Sequence, residues 1–543
     1  MLWIDQICIN QGDNHEKSEQ VKMMPRIYSM AKQVLVWLGP AGQGSDDAMD
    51  FYAKVGEAIR ERGLQHYCSS EMMPLLGAAV QTEDPGDQLW QKLNTVQTLA
   101  RQLLLPRLQA MVDWDRRPWF GRVWVVQEFC FGADPVFVCG DKRLAADHVK
   151  TTRLLLGLGI TADFVEAVRN FGPDKLLLLE TLADDPTTAF FGARTWRQRY
   201  EGGRPYPDNV MLELLRKVYV GRTASATLRQ DRVFSLVGMA PDAHRLGVTI
   251  DYDKTPVQVL TSLSKTLIEN GSLDVLAYVQ FPRDVAGLPT WVPDWRPNLR
   301  PSFYPHPAVS LSHDHGFKPS GDRPPFVVTA RDDTVLGLGG FVVDTVEEVG
   351  GIWTHDNLCA ALIPHYSCVT EVRSFCRRSV LKNEPIYASS QRRDEAEWRV
   401  PIADNWVAFE LGGSAVRRAT NRAMRALAEF HILMVWVESG RGGGPQAAPD
   451  DGEPLMYRLS MGKMSGMPPF MTQLGYVGMG PPGMRSGDVV AILFGARVCS
   501  VLRPAATVTG APRQYYYVGE AYCDGVMDGE LLGQRSEETF YLV

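Results

Sequence analysis

The chain has 543 residues, of which 45% are hydrophobic and 22% are charged, and its net charge is −7. At roughly 100–200 residues per domain, this length predicts about three domains with enough apolar residues to form cores. The acidic balance argues against nucleic-acid binding through bulk charge, since nucleic-acid-binding domains tend to be strongly basic. We therefore expect no nucleic-acid partner.

The sequence shows no sign of targeting to a membrane or to an oxidising compartment. It has no run of about 18 apolar residues, so no membrane-spanning helix is predicted. The N-terminal segment has neither a basic leader nor a small-residue cleavage site, which argues against a signal peptide. Nine cysteines are scattered without a tight repeat, which is typical of a reducing compartment. We expect a cytoplasmic protein.

The N-terminal part of the chain has the pattern of an α/β domain. The apolar segment LWIDQICIN (residues 2–10) is typical of a buried strand followed by a loop. Over residues 14–32, apolar side chains recur at helical spacing, and Pro25 inside this segment predicts a kink. VLVWLG (residues 34–39) is a dense apolar run that predicts a second buried strand. A strand, a helix and a strand with short links predict a parallel unit.

Two more elements complete this first domain, which we assign to residues 1–145. RRPWFGRVWVVQEFCFG (residues 116–132) predicts a helix that is entered after Pro118. PVFVCG (residues 135–140) predicts a third strand. The expected structure is a partial parallel sheet with flanking helices.

The middle of the chain, residues 146–300, is helix-rich in pattern. Within it, IDYD (residues 250–253) predicts a short strand, and residues 256–270 predict a long helix. The region ends in GLPTWVPDW (residues 287–295), a loop made rigid by two prolines. We therefore assign residues 146–300 to a helical middle region.

The last part of the chain, residues 301–543, is predicted to be β-rich. VLGLGGFVVDTVEEVG (residues 335–350) alternates like a strand, and DVVAILFGA, SVLRP and QYYYVGEAYC follow as short strands at turn spacing. These strands predict a small β-barrel or a compact sheet. The glycine- and proline-rich residues 441–454 predict a flexible loop.

Several segments, taken in order, resemble the fungal heterokaryon-incompatibility (HET) family. They are LWIDQICINQ, EKSEQVKMMPRIYSMAKQVLVWLG, RPWFGRVWVVQEF, QDRVFSLVGMA, IDYD, LPTWVPDW and SGDVVAILFGARVCSVLRP. The resemblance implies a protein of non-self recognition and innate immunity that triggers programmed cell death. Members of the family usually carry a further strand and helix upstream of the LWID segment. The resemblance therefore implies an N-terminally truncated HET domain.

The HET domain is itself similar to TIR domains, which implies a flavodoxin-like sheet. In TIR domains that hydrolyse NAD, a helix carries a tryptophan and, four residues later, a catalytic glutamate. Trp124 and Glu128 have this spacing, with Val125 where those domains have cysteine. The resemblance implies that Glu128 is catalytic, that NAD is the substrate, that no cofactor is required, and that the protein self-associates or binds protein partners. The alternative is a structural Glu128 paired with an arginine.

Further candidate ligand-binding residues lie near the predicted strand and helix. Asp5, Asn10 and Gln11 follow the LWID segment, at the end of a strand where open α/β sheets bind ligands. The alternative is that Asp5 and Asn10 accept hydrogen bonds from loop amides. Arg122 and Trp124 flank the same helix, and Arg122 is a candidate phosphate ligand. Its alternative role is an ion pair with Glu128 or Asp115.

The histidines and cysteines do not form a metal-site pattern. His306, His313 and His315 lie in a proline-rich segment, and the spacing of His355 and Cys359 does not match a structural zinc site. No metal is therefore predicted. A rival to NAD hydrolysis stays open, in which the domain is a non-enzymatic interaction module that signals by assembly, or an inactive truncated copy.

Overall fold

The computed structural model describes residues 2–42, 44–69, 71–82, 84–170, 178, 182, 186–203, 209–304, 316–329, 333–354, 362–380, 390–410, 413–438, 453–506 and 512–543. The chain divides into two compact units. The first comprises Met1–Val259, Trp295–Leu299 and Phe409–Gly413, and the second comprises Leu260–Asp294, Arg300–Ala408 and Ser414–Val543. The boundaries predicted at residues 145 and 300 stay a prediction.

Helices dominate the first half of the described chain, as predicted. The α-helices are α1 Asp5–Cys8, α2 Asn14–Met30, α3 Ser45–Glu61, α4 Met73–Thr82, α5 Gln88–Leu104, α6 Leu108–Asp115, α7 Trp124–Phe131, α8 Ala146–Asn170, α9 Thr187–Glu201, α10 Val210–Tyr219, α11 Asp231–Val237, α12 Pro256–Glu269, α13 Leu362–Val380, α14 Ser390–Arg399, α15 Asn421–Glu438 and α16 Glu453–Gly462. Short 3-10 helices cover Leu64–Tyr67, Leu105–Arg107, Pro118–Gly121, Leu273–Tyr278 and Val400–Ile402.

A small sheet lies in the first unit, with strands β1 Val34–Trp37, β2 Pro135–Cys139 and β3 Lys142–Ala145. β1 and β2 are parallel, which confirms the predicted parallel pairing of the VLVWLG and PVFVCG segments. β2 and β3 are antiparallel and are joined by a two-residue turn. Gly140 in that turn has φ of +55°, a left-handed conformation that glycine adopts without steric cost. Helices α3, α7 and α8 pack against this sheet.

The predicted first strand is wrong. Residues 2–4 have no strand partner among the described residues, and the next four residues form helix α1. Leu2 and Ile7 are 73% and 78% exposed, so the segment is not buried either. A strand needs a neighbour to accept its backbone hydrogen bonds, whereas a helical turn is self-sufficient. Here the N–H of Cys8 donates to the carbonyl of Ile4 at 2.8 Å, which closes the turn.

Two other predictions from local pattern need correction. IDYD (residues 250–253) is not a strand, because side chains take its backbone groups: Oδ1 of Asp251 accepts the N–H of Asp253 at 3.0 Å. The helix predicted after Pro118 is present but covers less of the segment: a 3-10 helix spans Pro118–Gly121, and α7 begins at Trp124. The predicted long helix α12 is confirmed.

The second unit is β-rich, as predicted. Its strands are β4 Val327–Thr329, β5 Leu336–Val349, β6 Asn405–Glu410, β7 Gly413–Arg418, β8 Pro469–Thr472, β9 Val477–Met479, β10 Val489–Leu493, β11 Cys499–Pro504, β12 Gln514–Cys523 and β13 Glu537–Leu542. Eight of them form one sheet around β5, and β6 pairs with β7. The sheet is not a clear barrel, since β12 and β13 pair over only Gln514 and Tyr515. Of the two predicted alternatives, the compact sheet describes it better.

Three further points concern the predicted flexible loop, membrane-spanning helices and the cysteines. Of the predicted flexible loop at 441–454, residues 441–452 lie outside the described residues. Over the ranges that the structure describes, no helix is both long enough and apolar enough to cross a membrane. The cysteines in those ranges are all free thiols.

Candidate functional site

Helix α7 carries Trp124 and Glu128, and its start is fixed by backbone hydrogen bonds. The N–H of Val123 donates to the carbonyl of Ser225 at 3.0 Å, and the N–H of Ser225 donates to the carbonyl of Gly121 at 2.8 Å. Val125 is fully buried on the inner face of the helix. Helices α2, α9 and α11 pack around α7, so its orientation is set from several sides.

The end of α7 is held by two arginines from helix α9. Arg194 donates hydrogen bonds to the carbonyls of Phe129, at 2.8 Å, and of Gly132. Arg197 donates to the carbonyl of Cys130 at 2.9 Å. These carbonyls belong to the last turn of the helix, which has no partner within the helix, and positive charge there is favourable. Gly132 leaves no room for a side chain, because a Cβ atom there would lie 2.5 Å from Cγ2 of Val34.

Glu128 is partly buried, and its carboxyl group lies near one negative and one positive side chain. Burial raises the pKa of its carboxyl group to about 7, and the negative charge of Asp5 acts in the same direction. The positive charge of Arg122 and the nearby hydroxyl of Tyr28 oppose this rise. A carboxyl group with a pKa near neutrality exchanges its proton at physiological pH, which suits acid–base chemistry.

Tyr28, from helix α2, is one of the groups that affect the pKa of Glu128. Its ring packs edge-on against Trp3 with 5.4 Å between the centroids. Burial and the charges of Glu128 and Asp5 raise the pKa of its hydroxyl well above the ordinary value, so it stays a neutral donor.

Asp5 and Arg122, both predicted as ligand-binding residues, are brought together with Glu128. Oδ2 of Asp5 lies 3.6 Å from Nη2 of Arg122. The side chain of Arg122 is 48% exposed, so part of its guanidinium group is accessible from solvent. Asp5 and Arg122 thus form an ion pair, and their charges affect the pKa of the Glu128 carboxyl group. Their roles in ligand binding stay predictions.

Asn10 and Gln11 are engaged in their own loop. Oδ1 of Asn10 accepts the N–H of Gly12 at 3.1 Å, and the N–H of Asn10 donates to Oε1 of Glu16 at 3.0 Å. Nε2 of Gln11 lies within 3.4 Å of the carbonyl of Asp5. This geometry matches the alternative in which such side chains satisfy loop backbone groups. A ligand role for Asn10 and Gln11 stays a prediction.

Trp124 lies near a residue that sequence reasoning did not select. Burial raises the pKa of the Asp231 carboxyl group, which is 5% exposed, and Trp124 is among the groups that act in the opposite direction. The hydroxyl of Tyr252 donates to Oδ1 of the same carboxylate at 2.6 Å. Asp231 and Tyr252 lie in the QDRVFSLVGMA and IDYD segments, whose family resemblance was the available signal. Tyr28 was counted only as part of an apolar helix face.

The described residues hold no group of three or more histidine, cysteine, aspartate or glutamate side chains arranged to bind a metal ion. His306, His313, His315, His355 and Cys359, which were considered in sequence, lie outside the described residues.

Comparisons with known proteins match both ends of the chain. Residues 1–128 match the family model described as heterokaryon incompatibility protein (HET), and residues 333–439 and 449–543 match the one described as Het-6 beta-barrel domain. Over 596 aligned residues the chain is 31% identical to heterokaryon incompatibility protein 6, OR allele, of Neurospora crassa, an alignment that covers 100% of this chain and 83% of that protein. No solved structure matches the chain. The resemblance predicted from the sequence motifs is confirmed.

Proposed function

We propose, for a chain that belongs to the heterokaryon incompatibility (HET) protein family, that it acts in fungal incompatibility by cleaving NAD at Glu128 and so triggers cell death. The name of the Neurospora relative supports the role in incompatibility. The observation that carries the catalytic part is the carboxyl of Glu128, whose pKa is raised to about 7 one helical turn after Trp124. A carboxyl group with a pKa of about 7 is partly ionised at neutral pH, so it can stabilise a positive centre and accept a proton.

In this proposal, hydrolysis of NAD requires one carboxylate and a surface that binds the nucleotide. The bond between the nicotinamide nitrogen and C1′ of the ribose breaks, and nicotinamide leaves with the bonding electrons. A water molecule adds to the oxocarbenium-like C1′ and loses a proton, which leaves ADP-ribose. In this proposal the ionised form of Glu128 stabilises that centre and accepts the proton of the water. Arg122, half-exposed, is placed to pair with a phosphate of the substrate.

A second candidate function is signalling by assembly without catalysis. The observation that favours it is a set of exposed apolar side chains in the first unit, including Ile7 at 78% and Trp37 at 55% exposure. Exposed apolar groups of this size are typical of surfaces that bind protein. In this case Glu128 has a structural role, and self-association alone triggers the response.

The test is Glu128→Gln in the full chain, with Glu213→Gln as the matched control. Glu213 is also a partly buried helical glutamate, in an ion pair with Arg216 at 3.1 Å. Purified wild-type and Glu213→Gln proteins are expected to cleave NAD, and Glu128→Gln is expected to be at least about 100-fold slower. Cell death with unchanged NAD, equal in wild type and Glu128→Gln, would establish the assembly function instead. If neither NAD loss nor death follows expression of the wild type, this chain is an inactive copy.

A further inference from the structure

The three-stranded sheet of the first unit has one face that helices of the same unit cover. Helices α3, α7 and α8 pack against the sheet, and the side chains of Val34, Val36, Phe137 and Leu144 are buried. Side chains alternate between the two faces along a strand, and residues paired in neighbouring strands share a face. Val36 is paired with Phe137, and Phe137 with Leu144. These buried residues therefore belong to the covered face.

The other face of the sheet, which we call the open face, carries two rows of side chains that run across the strands. The rows are Leu35–Val136–Ala145 and Trp37–Val138–Arg143. Leu35 is 47% exposed and Trp37 is 55% exposed. The two β3 side chains in these rows are exposed as well, and the two from β2 are half-buried. Apart from Arg143, the open face thus presents apolar side chains to solvent.

The strands that form the open face have the sequence of strands that are covered on both faces. β1 reads VLVW and β2 reads PVFVC, without the alternation of apolar and polar residues that a half-exposed strand has. Strands that pair in parallel, as β1 and β2 do, are usually buried on both faces. Contiguous exposed apolar side chains are typical of surfaces that bind protein. The open face therefore has the composition of a surface that is buried in a complex.

The positions of Trp37 and Arg143 indicate which partner fits this face. They lie in one row, on the two outer strands β1 and β3, with Val138 between them. When two copies stack their open faces about a two-fold axis parallel to β2, β1 of each copy lies over β3 of the other. Trp37 then faces Arg143 of the partner subunit, and symmetry forms this contact twice. A guanidinium group over an indole ring is a favourable cation–π contact.

The charge of Arg143 also selects between the possible two-fold arrangements. An axis perpendicular to the strands would stack β3 on β3 and bring two Arg143 side chains close together, where like charges repel. The axis parallel to β2 keeps them at opposite edges of the sheet, roughly 10 Å apart across two strand spacings. The open face is therefore complementary to a second copy of itself in one orientation.

We propose that the open face is a self-association surface through which two copies of this chain form a two-fold dimer. The inference concerns assembly and does not depend on NAD cleavage. A face of three short strands is smaller than a standard interface, which buries about 800 Å² per partner. The dimer is therefore weak, with a dissociation constant of about 0.1 mM, and forms where the local concentration of the chain is high.

The test is sedimentation velocity of the full chain from roughly 10 to 500 µM. Leu35→Ala is compared with Leu474→Ala as a matched control, because Leu474 is 49% exposed and lies in the second unit, between β8 and β9. Trp37→Ala and Arg143→Ala are measured separately and as an equimolar mixture. All four side chains are exposed, so we expect the variants to stay folded, and their unfolding temperatures check this.

Leu35→Ala, Trp37→Ala and Arg143→Ala are each expected to weaken dimerisation about tenfold, and Leu474→Ala is expected to leave it unchanged. In the mixed dimer, the intact Trp37 of one copy faces the intact Arg143 of the other, so one of the two contacts is restored. The mixture is therefore expected to dimerise more strongly than either variant alone.

A wild type that stays monomeric over this concentration range would overturn the proposal. A dimer that Leu474→Ala weakens as much as Leu35→Ala would also overturn it, since association would then not use the open face. A mixture of Trp37→Ala and Arg143→Ala that associates no better than its components would rule out the contact between these two residues and the two-fold arrangement with it.

Discussion

Oδ2 of Asp5 lies 3.6 Å from Nη2 of Arg122, and the two opposite charges act on the carboxyl group of Glu128 in opposite directions. Asp5 favours the protonated carboxylic acid, and Arg122 favours the carboxylate. Burial contributes most to the raised pKa of Glu128. The charges of Asp5 and Arg122 change this pKa by smaller amounts. This arrangement makes the proton affinity of Glu128 adjustable by single substitutions.

Substitution of the two charged residues is expected to move the pKa of Glu128 in opposite directions. Asp5→Asn removes the negative charge and lowers it by about 1, whereas Arg122→Gln removes the positive charge and raises it by about 1. The measurement is the ¹³C shift of the labelled Glu128 carboxyl, assigned with Glu128→Gln, over a pH titration. Shifts of the same sign in both variants would contradict the assignment of these charges.

The raised pKa of Glu128 also predicts how stability depends on pH. Below about pH 4.5 the carboxyl group of Glu128 is protonated in both the folded and the unfolded chain, and its contribution to the free energy of unfolding is fully present. As the pH rises through about 7, the unfolded chain ionises first, and stability is lost. The rise from 4.5 to about 7 corresponds to about 3 kcal/mol at 1.36 kcal/mol per pH unit.

Glu128→Gln removes this dependence and serves as the reference protein. Urea unfolding at about pH 5 and at about pH 8 is expected to show the wild type losing roughly 2–3 kcal/mol relative to the variant over that range. Two proteins with parallel stability curves would show that Glu128 ionises at its ordinary pKa. The same experiment on Tyr28→Phe is expected to show a larger loss, since the hydroxyl of Tyr28 lowers the pKa of Glu128.

The elements that were predicted correctly are those whose apolar residues form a recognisable pattern within a short stretch of sequence. β1 and β2 are dense apolar runs bounded by glycine, and α12 has an apolar face of helical period. Residues 2–10 and IDYD failed because strand formation depends on a neighbouring strand, which no local pattern reveals. Residues 4–8 form a helical turn instead, and in IDYD a side chain accepts a hydrogen bond from the backbone.

The candidate site was predictable to the extent that it lies on one helix. The spacing of Trp124 and Glu128 is a local property, and Arg122 lies two residues before Trp124 in the sequence. Asp5 was predicted from its place after a strand that the structure does not contain, so its closeness to Arg122 is known only from the fold. The contacts of Asp231 and Tyr252 join segments that are far apart in sequence, so only the fold reveals them. The raised pKa of Glu128 likewise depends on burial, which spacing does not determine.

Arg194 anchors the last turn of α7, and its loss is expected to destabilise the site. Arg194→Met leaves the carbonyls of Phe129 and Gly132 without this charged donor and is expected to cost roughly 2–3 kcal/mol of unfolding free energy. Arg199→Met is the control, because Arg199 lies in the last turn of the same helix. Its expected effect is within about 0.5 kcal/mol. Equal losses in urea unfolding would show that α7 does not depend on the arginine.

In the second unit, Arg418 binds two aspartates that differ in exposure, and this difference predicts very different energetic effects. Asp404 has 1% of its side chain exposed and also binds Arg399 at 2.7 Å, whereas Asp528 is 50% exposed. Asp404→Asn is expected to cost about 3–5 kcal/mol, because it removes a buried carboxylate that both Arg399 and Arg418 bind. Asp528→Asn, at the exposed pair, is expected to cost about 0–1 kcal/mol.

Asparagine is the informative replacement at both positions, since the backbone of Asp404 has φ of +56° and asparagine tolerates that left-handed conformation. Any loss then reports on charge and not on backbone strain. Calorimetry of the two full-length variants measures the difference. If both variants unfold at the same temperature, burial of Asp404 contributes nothing beyond an ordinary surface pair. A large loss for Asp404→Asn alone identifies the buried carboxylate of Asp404, with its two arginine partners, as the point where the second unit depends on buried charge.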